Sequence, residues 1–389
     1  MKKGIVAAIA ACVLFATPVY AQTVKIGIVL TLTTGAATIG NNMKQSMELA
    51  IKHMGGKMGD RDVELIFVDD GLNVEQGKQA AEQLVLQDDV DIVTGFIWSH
   101  ILLASADTVL EENKILISAN AGPSQLAGER CHKNFFNASW QNDQTPEAMG
   151  EVLNRAGVKS LYIIAPDYAA GRNMAEGVER TFNGEIVGKD LTVWPSQVDW
   201  ATELSSAKAA NPDGVFIFYP GAAGPAFISQ YQQAIGTDIP LYTVFTIDSL
   251  SLPRFQEAGF DSLLGTSMTQ FWAPDLDTPE NKRFVADFRA EHGSYPAFYG
   301  AQAYDTMFLI KSAVEAVDDL DDTDALRAAL EKADFNSVRG DFRFGNNHFP
   351  IQNFYEREVV VDADGNWTTS LGEAVLVDHQ DAYASSCKF

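Results

Sequence analysis

A chain of 389 residues with 46% apolar residues and 52 acids against 28 bases, for a net charge of −24, is too long for one compact core and predicts two lobes. So acidic a balance argues against a nucleic-acid partner or an anionic membrane surface, since both would repel it, and favours a soluble monomer.

The chain opens with Lys2 and Lys3, an apolar run from Gly4 to Ala16, and Val19-Tyr20-Ala21, which presents small side chains where a signal peptidase reads. Residues 1–21 read as a cleaved export signal, too short to span a bilayer, and the expected location is the periplasm. The alternative, a lipoprotein signal at Ile9-Ala10-Ala11-Cys12, would have an unusually short apolar region. Removing residues 1–21, which hold two lysines and no acid, takes the net charge to −26. Only Cys131 and Cys387 remain after that cut, and two cysteines in an oxidising compartment point to one disulfide, although the sequence does not show that they meet.

Beyond the signal, apolar strand-like runs alternate with amphipathic helical stretches, the pattern of parallel sheets built from βαβ units. The predicted strands are Val24 to Leu30, Val63 to Val68, Asp91 to Gly95 and Ile115 to Ala119, with helices near Val74 to Gln87 and Ser99 to Glu112. The first helix carries Met43, Met47, Ala50, Ile51 and Met54 at helical spacing, which assigns these methionines to the core. A second series begins after Trp140, with strands Ser160 to Ala165, Glu185 to Val193, Gly214 to Tyr219, Pro240 to Phe245 and Leu263 to Met268. From Pro279 to about Phe335 the chain is helical, and Phe284, Phe288, Met307, Phe308, Ile310, Val314 and Val317 provide the face that packs back on lobe one. A hairpin closes the pattern, Asn353 to Val361 and Trp367 to Val377, joined through Asp362-Ala363-Asp364-Gly365.

Catalytic motifs fail one after another, and the expectation is a protein that is not an enzyme and carries neither cofactor nor metal. Gly71 to Lys78 has one residue too many between its glycines for a phosphate loop, and Gln79 replaces the magnesium-binding hydroxyl. The histidines lack ligand spacing, no nucleophile elbow occurs, and Asp318 to Asp324 lacks the glycine and glutamate of a calcium loop. What remains is a set of polar and glycine-rich loops after the strands, where ligands bind in open α/β sheets. These are Thr31 to Gly35 with Thr33, Phe96 to Ser99, Ser118 to Ser124, Pro166 to Tyr168, Tyr219 to Gly221, and Phe245 to Asp248. Ser99 stands at a helix start, where it serves either as a cap or, with the free amides beside it, as part of an anion site.

The loop Lys25 to Gly40, Gly95 to Ser99, Ser118 to Ser124, Asp167-Tyr168 with Gly171, and Tyr299 to Asp305 resemble the Leu/Ile/Val-binding family of type I periplasmic solute-binding proteins over essentially the whole processed chain. The resemblance implies two Rossmann-like doubly wound lobes, three crossovers near Gln141 to Asp143, Trp272 to Asp275 and Asn346 to Pro350, and a ligand trapped between the lobes. It places lobe one at 22–142 plus 275–348, lobe two at 143–274 plus 349–378, and a tail at 379–389. It also implies a membrane permease of an ATP-driven importer as partner; a ligand sensor controlling another protein is the competing use of such a fold. Two departures bear on the ligand. Gly122 replaces the threonine that helps clamp an amino acid's α-carboxylate, and Asp248 is displaced from the place of the acid that pairs with the α-amine. Trp98, Tyr168, Tyr219 and Phe245 offer more aromatic surface than a leucine side chain needs. The expected ligand is therefore a small apolar carboxylate, an aromatic acid ahead of a branched-chain amino acid, held by Trp98, Ser99, Asn120, Ala121, Gly122, Tyr168, Tyr219, Phe245, Asp248 and Thr33.

Overall fold

The computed structural model describes residues 22–389, and the export signal read in residues 1–21 lies outside them. Lobe one is built on β1 (Val24–Leu30), β2 (Lys57–Met58), β3 (Arg61–Asp69), β4 (Ile92–Gly95), β5 (Ile115–Ser118) and β6 (Phe135–Asn137). These form a six-stranded sheet in the order β2-β3-β1-β4-β5-β6, parallel except for the β2–β3 pair. Helices α1 (Ala37–His53), α2 (Val74–Leu86), α3 (Ser99–Leu110) and the short α4 (Ser124–Ala127) follow β1, β3, β4 and β5. Central β1 is apolar at nearly every position because both its faces are covered by helices. On α1, Met43, Met47 and Ala50 are fully buried and Ile51 and Met54 half-buried, so the methionines are core residues.

After β6 the chain enters α5 (Gln144–Arg155) and the second lobe, where β7 (Ser160–Pro166), α6 (Ala169–Thr181), β8 (Glu185–Thr192), α7 (Ala201–Ala210), β9 (Gly214–Ile217), α8 (Ala223–Ala234), β10 (Leu241–Thr243), α9 (Leu252–Glu257) and β11 (Ser267–Gln270) repeat the alternation. It then returns to lobe one as α10 (Pro279–His292), α11 (Phe298–Glu315) and α12 (Thr323–Leu330). Phe284, Phe288, Met307, Ile310 and Val314 are buried there, and α11 lies along α1. Finally β12 (Arg343–Phe344), β13 (Pro350–Val361) and β14 (Trp367–His379) complete an eight-stranded sheet, β12-β13-β11-β10-β9-β7-β8 with β14 on β13. The hairpin turn is held by the Asp362 carboxylate, which accepts from the Asp364 and Asn366 amides at 2.9 and 2.8 Å.

Two differences from the sequence reading have local causes. The last parallel strand begins at Ser267 rather than Leu263, because Asp261–Leu263 closes a 3-10 turn that buries Leu263 against the second core. Strand β10 stops at Thr243 rather than Phe245, since Phe245 takes a left-handed backbone (φ 58°) that no strand continues through.

The passages between the lobes converge on Arg339. Its guanidinium pairs with Asp305 of α11 at 2.8 Å, donates to the Ser139 and Ala138 carbonyls at 3.0 and 2.6 Å and to Gln352 Oε1 at 3.2 Å, and lies 5.4 Å from the Phe271 ring centre. One buried side chain thus touches the chain segment leaving β6, the one leaving β11 and the one entering β13. Beyond β14, Tyr383 donates to Asp143 Oδ2 at 2.8 Å, and Cys387 is bonded to Cys131 with a Cα separation of 5.6 Å.

Candidate functional site: an aromatic cavity between two helix N-termini

Between the C-terminal ends of the two sheets lies a cavity of about 320 Å³. All of its lining residues are buried, so the lobes are closed on each other. Lobe one supplies Ile97, Trp98, Ser99, Asn120 and Ala121, and α11 adds Tyr299. Trp140 and Asn142 come from the first interlobe passage, and lobe two supplies Tyr168, Ala170, Met174, Phe218, Pro220 and Phe245. Rings dominate. Trp140 stacks on Phe245 at 4.7 Å, Phe218 meets Phe245 edge-on at 6.1 Å, and Trp98 meets Tyr168 edge-on at 6.4 Å. None of the lining side chains carries a formal charge.

Local backbone explains how these rings reach the cleft. At the end of β4, Gly95 has φ 106° and an added Cβ would fall 2.2 Å from the Val29 carbonyl oxygen, so only glycine lets the chain leave the sheet there. Phe96 and Phe245 both adopt left-handed φ, 60° and 58°, the first just past β4 in lobe one and the second just past β10 in lobe two. Non-glycine residues held this way cost on the order of 1–3 kcal/mol each, a strain that concentrates where ligands bind.

Two helices begin at the cavity wall, and neither has a side-chain cap. Helix α3 starts after Trp98 and α6 after Tyr168, aromatic residues with no oxygen able to receive the first-turn amides in that role. Their first hydrogen bonds run from Leu102 to the Trp98 carbonyl and from Arg172 to the Tyr168 carbonyl, which leaves the amides of 99–101 and 169–171 without intrahelical acceptors. Each such terminus carries roughly half a positive elementary charge, and the cavity faces both. Ser99 Oγ accepts from Asn142 Nδ2 at 3.1 Å, so its own proton is still free to donate. The buried Nε1–H of Trp140 also has no acceptor among the described residues. Burial raises the phenols of Tyr168 and Tyr299, so both stay protonated donors. His100, packed edge-on to Tyr168 at 5.2 Å, has its pKa lowered by burial to about 4 and is neutral at pH 7.

Of the residues singled out from the sequence, Trp98, Ser99, Asn120, Ala121, Tyr168 and Phe245 meet at this cavity, and the other four do not. Gly122 donates its amide to Asn142 Oδ1 at 3.1 Å, and Ala121, although on the wall, donates its own to the Phe96 carbonyl at 3.0 Å. The 118–124 loop thus presents no free amide at these two residues, and the uncapped helices take over that role. Asn120 is likewise engaged, donating to the Ile97 carbonyl and accepting from Gln302. Tyr219 points the other way, its hydroxyl 2.7 Å from Thr192 Oγ1 and its ring stacked 4.7 Å from Phe227; the adjacent Phe218 faces the cavity instead. Thr33 is exposed and bonds Asp69 at 2.6 Å. Asp248 sits in a neighbouring hollow with Thr246, Ser251 and Arg254, its carboxylate accepting from the Leu250 and Ser251 amides, and burial pushes its pKa up to about 6. Sequence reasoning missed Trp140, Asn142, Ala170, Met174, Phe218 and Tyr299. Strand alternation, followed one residue past β9, separates Phe218 from Tyr219.

Among the described residues no three His, Cys, Asp or Glu side chains gather as metal ligands do, and no helix is long and apolar enough to cross a membrane.

Two sheets of this topology joined through three adjacent passages, with a closed cavity between them, define the architecture of a type I periplasmic binding protein. The chain belongs to the periplasmic binding protein family, whose model matches residues 23–366. It is 28% identical, with a TM-score of 0.87, to an ABC-transporter solute-binding protein from R. palustris solved in complex with benzoate, covering 94% of this chain and 100% of that one. A second such protein, from Rhodopseudomonas palustris BisB5 in complex with 3,4-dihydroxybenzoic acid, is 26% identical with a TM-score of 0.85, covering 92% and 99%. The Leu/Ile/Val-binding protein homolog 6 of Brucella melitensis biotype 1 is 26% identical over 94% of this chain and 95% of its own length.

Proposed function

We propose that this protein captures a small aromatic carboxylate in the periplasm and delivers it to the membrane permease of an ABC importer, working as a monomer without catalysis. The observation that carries the ligand class is the cavity wall, which offers rings, two uncapped helix N-termini and no carboxylate. An amino acid's ammonium buried there would have no counter-charge, a loss of several kcal/mol, whereas a carboxylate meets the amides of α3 and α6 and the Ser99 hydroxyl. Burying about 150 to 250 Å² of ring is worth roughly 4 to 6 kcal/mol at about 25 cal/mol per Å², and a charge-assisted hydrogen bond adds about 1.5 to 3 kcal/mol.

The lobes in this reading are 22–142 with 275–348, and 143–274 with 349–378. Strands β1–β6 and β7–β11 support that division, while β12 crosses it by pairing with β13. Branched-chain amino acid uptake is the second reading, favoured by the names of the relatives. Thermal-shift titration separates them. A benzoate at about 100 times its dissociation constant should add about 2.7 kcal/mol of apparent stability, and leucine none. Stabilisation by leucine and not by benzoate would overturn the aromatic reading.

A further inference from the structure

Trp194 follows β8 and reaches from lobe two across the cleft. Its indole stacks on Tyr168, centre to centre 5.3 Å and 18° from parallel, and abuts Trp98 of lobe one at 5.5 Å. Tyr168 and Trp98 line the aromatic cavity, yet Trp194 does not. It lines a second hollow nearer the surface, of about 730 Å³, together with Pro195, Ala222 and Ala223 from lobe two and Thr34, Gly35 and Leu72 from lobe one. Trp98 and Pro220 belong to both spaces. The inner and outer spaces are thus neighbours that share the Trp98 ring, and Trp194 packs on that ring from the side of the outer hollow. Trp194 Nε1–H is buried and has no acceptor among the described residues.

We infer that Trp194 is the residue that sets ligand length: its indole braces Trp98 and Tyr168, the rings that wall the inner cavity on the side of the outer hollow, so that an acid of one ring fits and an aryl carboxylate with a longer chain is refused. This rests on the aromatic-acid reading of the inner cavity. Every residue lining the inner cavity is buried, so a longer chain needs a way past the rings, whereas the outer hollow beyond them has more than twice the space and walls that are mostly apolar. Removing the indole takes away the support behind Trp98 and Tyr168 and gives them room to move toward the outer hollow, without touching Ser99 or either helix terminus, so the carboxylate end of the site is unchanged.

The test is the ratio of dissociation constants for benzoate and 4-phenylbutyrate, measured by calorimetry on the wild type, Trp194→Ala and Trp194→Phe. For Trp194→Ala the ratio should move at least about tenfold toward the longer acid, the scale on which pockets discriminate methylenes. Trp194→Phe, which keeps a ring over Tyr168, should move it less than Trp194→Ala does. A shift below that threshold in Trp194→Ala, with benzoate still bound, overturns the gate and leaves the aromatic reading standing. So does a Trp194→Phe shift as large as that of Trp194→Ala. Failure of the wild type to bind benzoate overturns the aromatic reading and the gate with it. Should Trp194→Ala melt too low to titrate, Trp194→Leu is judged by the same threshold.

Discussion

At the hinge, Arg339 uses every nitrogen of its guanidinium on protein oxygens, from Asp305, Ser139, Ala138 and Gln352. In the cavity the opposite holds: the first-turn amides of α3 and α6, the Ser99 proton and the Trp140 Nε1–H have no partner among the described residues. Both places are buried and both contact the two lobes, so burial alone does not distinguish them. Polar satisfaction does. A hinge whose donors are all paired defines one geometry for the chain segments passing through it, while a cavity with unpaired donors is left for an acceptor from outside the protein to complete.

Breaking the hinge should have the largest effect. Arg339→Ala leaves the Asp305 carboxylate buried without its partner and should cost about 3–5 kcal/mol of unfolding free energy, read by denaturant titration. A loss below about 1 kcal/mol, the range of an exposed ion pair, would show that the hinge is not held by this residue. In the cavity, Trp98→Ala should weaken benzoate binding by about 2 kcal/mol or more with the fold retained, as expected of a buried aromatic anchor. Unchanged affinity in a folded variant would remove Trp98 from the site.

His100 gives a smaller, pH-dependent effect. Its folded pKa of about 4 lies below the 6.5 of the free side chain because burial disfavours the charged ring. Between those values the unfolded chain binds the extra proton, so this contribution is complete above pH 6.5 and is lost as pH falls toward 4. His100→Gln should therefore flatten the stability curve in that window by on the order of 1 kcal/mol. Asp143 and Asp248, raised by burial to about 6, act with the opposite sign, so the difference between wild type and variant is the quantity to follow. The smallest effect sharpens the map of the cavity. Tyr219→Phe should leave benzoate affinity unchanged while costing about 1 kcal/mol of stability for the lost bond to Thr192; a tenfold loss of affinity would return Tyr219 to the site.

Hydrophobic periodicity carried most of the architecture. The buried run of β1, the helical methionines of α1 and the apolar stripe of α10 and α11 were legible because burial selects the residue type position by position along each element. Within the site, the sequence alone pointed to Trp98, Ser99, Tyr168 and Phe245 because they follow strand ends. It erred at Tyr219, where one residue of alternation turned the wrong ring to the ligand, and at Gly122, whose amide is taken by a side chain twenty residues on.

Fold class, lobe number and the loops that meet at the cleft are consequences of local pattern, since each βα unit buries its own apolar face and places its connecting loop at a strand end. Which amides are free, which carboxylate lies outside the cavity and which indole stands between two hollows depend on pairings across the cleft and along the hinge. Those pairings join residues dozens to hundreds of positions apart, and no local period in the chain records them; only the closed packing of the two lobes decides them.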